Sequence, residues 1–175
     1  MRQSHSSHFE WLEKRLGISL RKGLDVWPQF VEATERRNLF AHTGGRVSRQ
    51  YLQAVKRVGF QQSPQPKLGS ILRVDRGYIE QSCNIFLEVG MKLVHVAWKK
   101  IRPKERSEAD SALISDTYDL LYRREYMLLQ KLLEFFVNEP TIGGKMNERD
   151  RTTCIVNLCT CYRELDQNDT NVPSH

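Results

Sequence analysis

Three side chains in one short stretch carry the reactive chemistry of this sequence: Arg37, Asn38 and His42, within Arg37-Asn38-Leu39-Phe40-Ala41-His42. An imidazole titrates in the neutral range, which suits His42 to take or give a proton. A guanidinium stays charged and can grip two phosphate oxygens through its fork, which suits Arg37 to hold a phosphate. The amide of Asn38 can orient either Arg37 or the phosphate itself.

These residues must be positioned by the segment from Trp27 to Leu52, WPQFVEATERRNLFAHTGGRVSRQYL. Its first part reads as an amphipathic helix. With Trp27 as zero and about 100° per residue, Phe30, Val31, Thr34 and Ala41 fall within roughly 60° of Trp27. Asn38 lands at about +20°, His42 at about +60° and Arg37 at about −80°. The reading therefore expects Asn38 near the middle of a buried arc, with His42 at its edge. Unpaired polar groups there would cost on the order of 1–3 kcal/mol each, so partners are required. A conflict of this kind between local pattern and burial is expected at functional sites. Asp25 is the expected N-cap and Pro28 sits in the first turn. Gly44-Gly45 ends the helix, leaving His42 in the last turn, where the helix dipole favours a protonated imidazole.

At these residues the sequence resembles the HEPN domains, small all-helical domains that include many ribonucleases. Arg37 to His42 matches their R-x(4–6)-H motif, with the polar residue directly after the arginine supplied by Asn38. The lead-in Glu35-Arg36-Arg37-Asn38, the following Thr43-Gly44-Gly45 and then Tyr51-Leu52 look like prokaryotic members in which this run opens the second half of the domain. The resemblance extends to roughly Trp98. It implies metal-independent cleavage of RNA to a 2′,3′-cyclic phosphate, without cofactor or metal, in a toxin–antitoxin or antiviral-defence setting. It also implies a composite site at a homodimer interface, with Arg37, Asn38 and His42 catalytic. An antitoxin or other regulatory protein is a further implied partner. Some HEPN domains are inactive and serve as binding, sensing or protein-interaction modules, and that alternative stays open.

Charge agrees with a phosphate-rich partner. The net charge of the 175 residues is +6, yet residues 36–106 hold 15 Lys and Arg against four acids, a local +11. From this block Arg36, Arg46, Arg49, Lys99, Lys100 and Arg102 are the expected RNA contacts. The opposing reading is a solvated basic face with no partner.

The remaining candidates read as structure. Cys83, Cys154, Cys159 and Cys161 form no disulfide framework, and C-x4-C-x-C lacks the paired knuckles of a zinc ribbon. Buried thiols on a helix are expected. Asp110, Asp116 and Asp119 have no matching acidic pair, so no metal site is assigned. His95, inside the apolar run Leu93 to Trp98, is expected to be a hydrogen-bonded core or interface histidine. Tyr118, Tyr122 and Tyr126 form an i,i+4 stripe read as helix packing. Phosphate-binding loops and zincin motifs are absent from the sequence.

Mean hydropathy is −0.56 and no apolar run approaches the roughly 20 residues of a membrane span. The opening MRQSHSSHF has no apolar signal core, so a cytoplasmic location is expected. Helices are expected over 8–16, from Trp27 to the glycine pair, over 48–58, from an Asp75 cap to Ile101, over 107–138 as one long element, and over 147–165. Residues 61–70 are expected to form a loop, Pro140 and Gly143-Gly144 a break, and residues 166–175 a frayed tail. The expected fold is all-α, an up-and-down bundle of HEPN type over residues 1–138, with residues 139–175 as an additional C-terminal helix and tail.

Overall fold

The computed structural model describes residues 5–138 and 146–170, and these are all-helical, with no named strand among them. Among the described residues seven α-helices follow one another: α1 (His5–Leu16), α2 (Trp27–Thr43), α3 (Arg49–Arg57), α4 (Arg76–Ile101), α5 (Arg106–Tyr122), α6 (Tyr126–Asn138) and α7 (Glu148–Thr170). Two short 3-10 turns, Leu20–Gly23 and Pro103–Glu105, supply tight connections. Among the described residues no helix is long and apolar enough to cross a membrane.

The chain divides into two compact units, Met1–Val89 and Gly90–His175. The division falls within α4.

In the first unit, four aromatic rings fix α1 and α2. Phe9 meets the edges of Trp27 at 4.9 Å and Phe30 at 5.5 Å between centroids, Trp27 stacks on Phe30, and Phe30 meets Phe86. Such pairs prefer edge-on or offset geometry because the ring faces are negative and the edges positive. Val26 caps α2, with no side-chain bond, so Asp25 does not serve as the cap. The Trp27 amide instead donates to Leu24 O at 2.9 Å, and Pro28 occupies the first turn as expected.

Gly44 ends α2 in the left-handed region at φ 59°. Gly45, at φ 80°, is required for a second reason: a Cβ there would lie 2.9 Å from the Phe40 ring and 3.1 Å from Leu72 O. That close approach lets the loop before α4 return beside the α2 terminus. Leu72 N donates to Gly45 O, Val47 N to Ser70 O and Gly69 N to Val47 O, and Arg46 and Ile71 form an isolated antiparallel bridge. Ser48 caps α3 through Tyr51 N. Leu39, Val47, Tyr51 and Val55 then close a small core under α2. Asp75 caps α4 as expected, accepting from Tyr78 N at 2.7 Å.

In the second unit, the long helix expected over 107–138 is two helices. Arg124 takes φ 58° between α5 and α6. The carbonyls of Asp119, Leu120 and Leu121 are satisfied by the amides of Arg123, Glu125 and Arg124, a helix-ending hydrogen-bond pattern. No glycine or proline marks this turn, which is why periodicity alone runs through it. The break also interrupts the tyrosine stripe: Tyr118 and Tyr122 are exposed on α5, whereas Tyr126 opens α6. Helix α7 packs mainly on α6 and also on α5, within the same unit. Asn147 caps it through Asp150 N at 2.9 Å. Leu113, Leu129, Leu132, Leu133, Cys154 and Cys161 are fully buried. Cys83 and Cys159 are exposed, so only two of the four thiols are core residues. Pro140 and Gly143-Gly144 lie outside the described residues, and α7 continues to Thr170, past the expected end at 165.

Candidate functional site

Helix α2 changes environment along its length. Every residue from Phe30 to Arg36 is buried, so this half of the helix is enclosed on all sides. Beyond Arg36 only Leu39 stays buried, because α3 covers that side with Tyr51 and Val55. Arg37, Phe40, Ala41 and His42 are exposed and Asn38 is half-buried. The arc centred on Asn38 is therefore not the buried face of the second half. The packing of α3 against Leu39 sets the buried side there and leaves the expected apolar arc at the surface.

Arg37, Asn38 and His42 accordingly meet solvent at the C-terminal end of α2. Arg37 Nη1 donates to Asn38 Oδ1 at 3.0 Å. The helix end that carries His42 is held by Thr43, whose hydroxyl lies 2.9 Å from Leu39 O and 3.0 Å from Arg46 O. Arg46 is exposed just past the glycine pair and donates from Nη1 to Gly69 O at 3.0 Å. Arg49 is exposed at the start of α3.

The adjacent Arg36 has a different setting. Its side chain is 6% exposed and Glu32, one helical turn earlier, is 3% exposed, with Arg36 Nε 2.6 Å from Glu32 Oε1. Tyr51 Oη donates to Glu32 Oε1 at 2.8 Å and Tyr78 Oη to Glu32 Oε2 at 2.9 Å. The guanidinium also donates to Gln62 Oε1 at 2.9 Å and Arg73 O at 3.3 Å, and it stacks 4.1 Å from the Tyr78 ring centroid. Burial opposes the charge on Arg36, but Glu32 and Tyr78 outweigh it and its pKa is raised. Burial and then the Glu32 carboxylate push Tyr78 up to about 12. Burial and the hydrogen bond to Glu32 also raise Tyr51. The network ties α2 to α3, to the 62–73 loop and to the start of α4. Its i,i+4 core, Glu32 and Arg36, was readable in the sequence, whereas Gln62 and the Arg73 carbonyl carry no signal there.

Two of the cavities in this unit border α2 and α3. One, of about 360 Å³, is bordered by Gln29, Glu32, Arg36, Gln62, Arg73 and Tyr78 among others. The other, of about 480 Å³, runs between α3 and residues 59–66. Neither is lined by Arg37, Asn38 or His42, which stand on an open surface of the single chain.

In the second unit, Lys99 is 3% exposed and ion-paired with Asp110, itself 2% exposed. His95 Nε2 lies 2.8 Å from Asp116 Oδ2, and its ring packs edge-on to Phe136. His95 is thus a hydrogen-bonded core histidine, and two of the three acids in the 110–119 stretch have structural partners, Asp110 in its ion pair with Lys99 and Asp116 in its hydrogen bond with His95. Among the basic residues expected to contact RNA, Arg36 and Lys99 are interior cations whose charge is compensated by carboxylates. Lys100 and Arg102 are exposed, with Arg102 3.3 Å from Glu105.

No protein-family model matches the sequence, and no curated protein or solved structure matches it.

Proposed function

We propose that the protein is a metal-independent endoribonuclease of HEPN type, with a composite site formed where two copies bring their α2 termini together. The observation that carries this reading is the contrast at consecutive arginines. Arg36 is neutralised in the interior, while Arg37 bonds the neutral amide of Asn38 and has no carboxylate partner among the described residues. An exposed, oriented and uncompensated guanidinium five residues before an exposed imidazole suits an anionic phosphate.

In-line cleavage of RNA takes a proton from the 2′-OH, forms a bond from that oxygen to phosphorus, and breaks the bond from phosphorus to the 5′-oxygen, which leaves protonated. The products are a 2′,3′-cyclic phosphate and a 5′-hydroxyl. His42 of one chain is the base, and the second copy's histidine is the acid on the opposite side of the phosphorus. Arg37 stabilises the charge of the phosphorane, and Asn38 holds Arg37. A two-fold pair would also enclose a site that one chain leaves open to water, strengthening these electrostatic contacts. Arg46 and Arg49 are the nearest exposed cations beyond the glycine pair, and Lys100 and Arg102 bind the strand elsewhere. The resemblance implies that such an enzyme works in a prokaryotic defence or toxin–antitoxin system, in the cytoplasm, restrained by a regulatory partner.

His42→Ala tests the reading. Cleavage should be lost while helix content and RNA affinity stay near wild type. A wild-type protein that binds RNA and cleaves none of a broad panel would favour the inactive sensing or binding module instead.

A further inference from the structure

Past α3 the chain turns back along the helix it has just left. Gly59 N donates to Lys56 O at 3.1 Å and Phe60 N to Val55 O at 3.0 Å, which brings residues 59–66 beside α3. The cavity of about 480 Å³ lies between them. Leu52, Val55, Phe60 and Pro66 give it an apolar wall. Leu52 and Phe60 are half-buried and pack against the small core of Leu39, Val47, Tyr51 and Val55, so this wall is fixed in place. Small-molecule sites run from about 300 to 1,000 Å³ and are mostly apolar with a few placed polar groups, and this cavity has that form.

The polar groups around the cavity narrow its occupant. Gln61, Gln62 and Gln65 all border it, and each carboxamide carries both donors and an acceptor. Gln62 Oε1 accepts from Arg36 Nη2 at 2.9 Å, which fixes that amide and leaves its Nε2 to donate. The side chains of Gln61 and Gln65 are exposed and hydrogen-bonded to no other described residue. Among the described residues Lys56 is the one charged side chain on the lining, and no carboxylate borders the cavity. A hydrocarbon occupant would leave these amides unpaired, and a bare anion would leave the apolar wall in water. Wall, amides and cation together call for a flat apolar body with amide-like edges and one anionic group.

We infer that this cavity binds a nucleoside monophosphate unit, with the base against Phe60, its edge met by the glutamine amides and the phosphate at Lys56. An aromatic side chain accepts the face of any base, while carboxamides match the donors and acceptors on base edges. The lysine ammonium is a point charge that suits phosphate without dictating its orientation. Such a unit has two sources, a free nucleotide or one nucleotide of an RNA strand, and the chemistry of the pocket is the same for both. The inference does not rest on the ribonuclease reading, because a mononucleotide holds no internucleotide bond to cleave and its binding is measured directly.

Calorimetry on the full chain with the common nucleoside 5′-monophosphates tests it. At least one should bind with a submillimolar Kd, about tenfold or more tighter than its own nucleoside or inorganic phosphate. Lys56→Ala should weaken that nucleotide about tenfold and leave the nucleoside unchanged, since only the phosphate contact is lost. Gln61→Ala with Gln65→Ala should weaken nucleotide and nucleoside alike, about fivefold, with the melting temperature unmoved because both side chains are exposed. A tetranucleotide that competes with the bound mononucleotide supports the pocket as a site for a strand, and one that does not supports it as a site for the free nucleotide. Nucleotides that bind no tighter than inorganic phosphate overturn the inference. So does a Lys56→Ala protein with unchanged nucleotide affinity, or benzoate binding as tightly as any nucleotide, which would make the cavity a site for aromatic acids.

Discussion

Arg36 and Arg37 are consecutive on α2 and point into opposite environments: Arg36 Nε lies 2.6 Å from the buried Glu32 Oε1, while Arg37 Nη1 reaches 3.0 Å to Asn38 Oδ1 at the surface. A single residue step of about 100° separates a structural cation from the candidate catalytic one.

That separation sets a stability contrast. Arg36→Ala leaves Glu32 buried without its cation and should cost about 3–5 kcal/mol. Arg37→Ala removes a surface hydrogen bond and should change stability by no more than about 0.5 kcal/mol. Urea unfolding of the two variants at neutral pH measures the difference. Equal effects would mean that the interior network is not what holds α2 to α3 and α4.

Alkaline pH should attack the same network. Tyr78 is pushed up to about 12 by burial and by Glu32, and Tyr51 is raised by the same causes. An unfolded tyrosine ionises near 10, so the folded chain holds these phenol protons more tightly. Their contribution is therefore complete below pH about 10 and is lost as pH rises through about 12. The buried thiols Cys154 and Cys161, raised to about 11, add a loss of the same sign. Tyr78→Phe removes one titrating phenol, and its unfolding free energy between pH 9 and 12 should fall less steeply than that of wild type.

Much of the helical layout was legible in the residues themselves. Asp75 and the Gly44-Gly45 pair are local signals, and they cap α4 and end α2 as read, while Ser48, the expected start of a helix, caps α3. The break at Arg124 was not legible, because a left-handed arginine looks like any other surface arginine in a Leu-rich run. The exposure of the α2 terminus was also hidden. It depends on Tyr51 and Val55 arriving from α3 to cover Leu39, a tertiary choice that the helical wheel of α2 alone does not contain. Net charge, likewise, identified a basic block but did not separate exposed Arg46 and Arg49 from Arg36 and Lys99, which are spent on Glu32 and Asp110. Burial of a cation depends on a partner that spacing shows only for the i,i+4 case.

For the proposed RNA contact, Arg46→Ala with Arg49→Ala should weaken binding to a similar degree across sequences. Each phosphate that is no longer neutralised should flatten the log–log salt dependence by about 0.7 for a single strand, or about 1.4 for both. Affinity measured from 50 to 200 mM salt checks this, and cleavage at saturating RNA should change little. An unchanged slope would move the strand to the Lys100–Arg102 side.

The central claim is tested most directly by the ends of the RNA that the protein makes. A labelled RNA pool incubated with wild type in excess EDTA should yield fragments ending in 2′,3′-cyclic phosphate and beginning with 5′-hydroxyl, and His42→Ala should yield none. Cleavage that EDTA abolishes, fragments carrying 5′-phosphate, or a wild type that leaves every RNA intact would contradict the assignment.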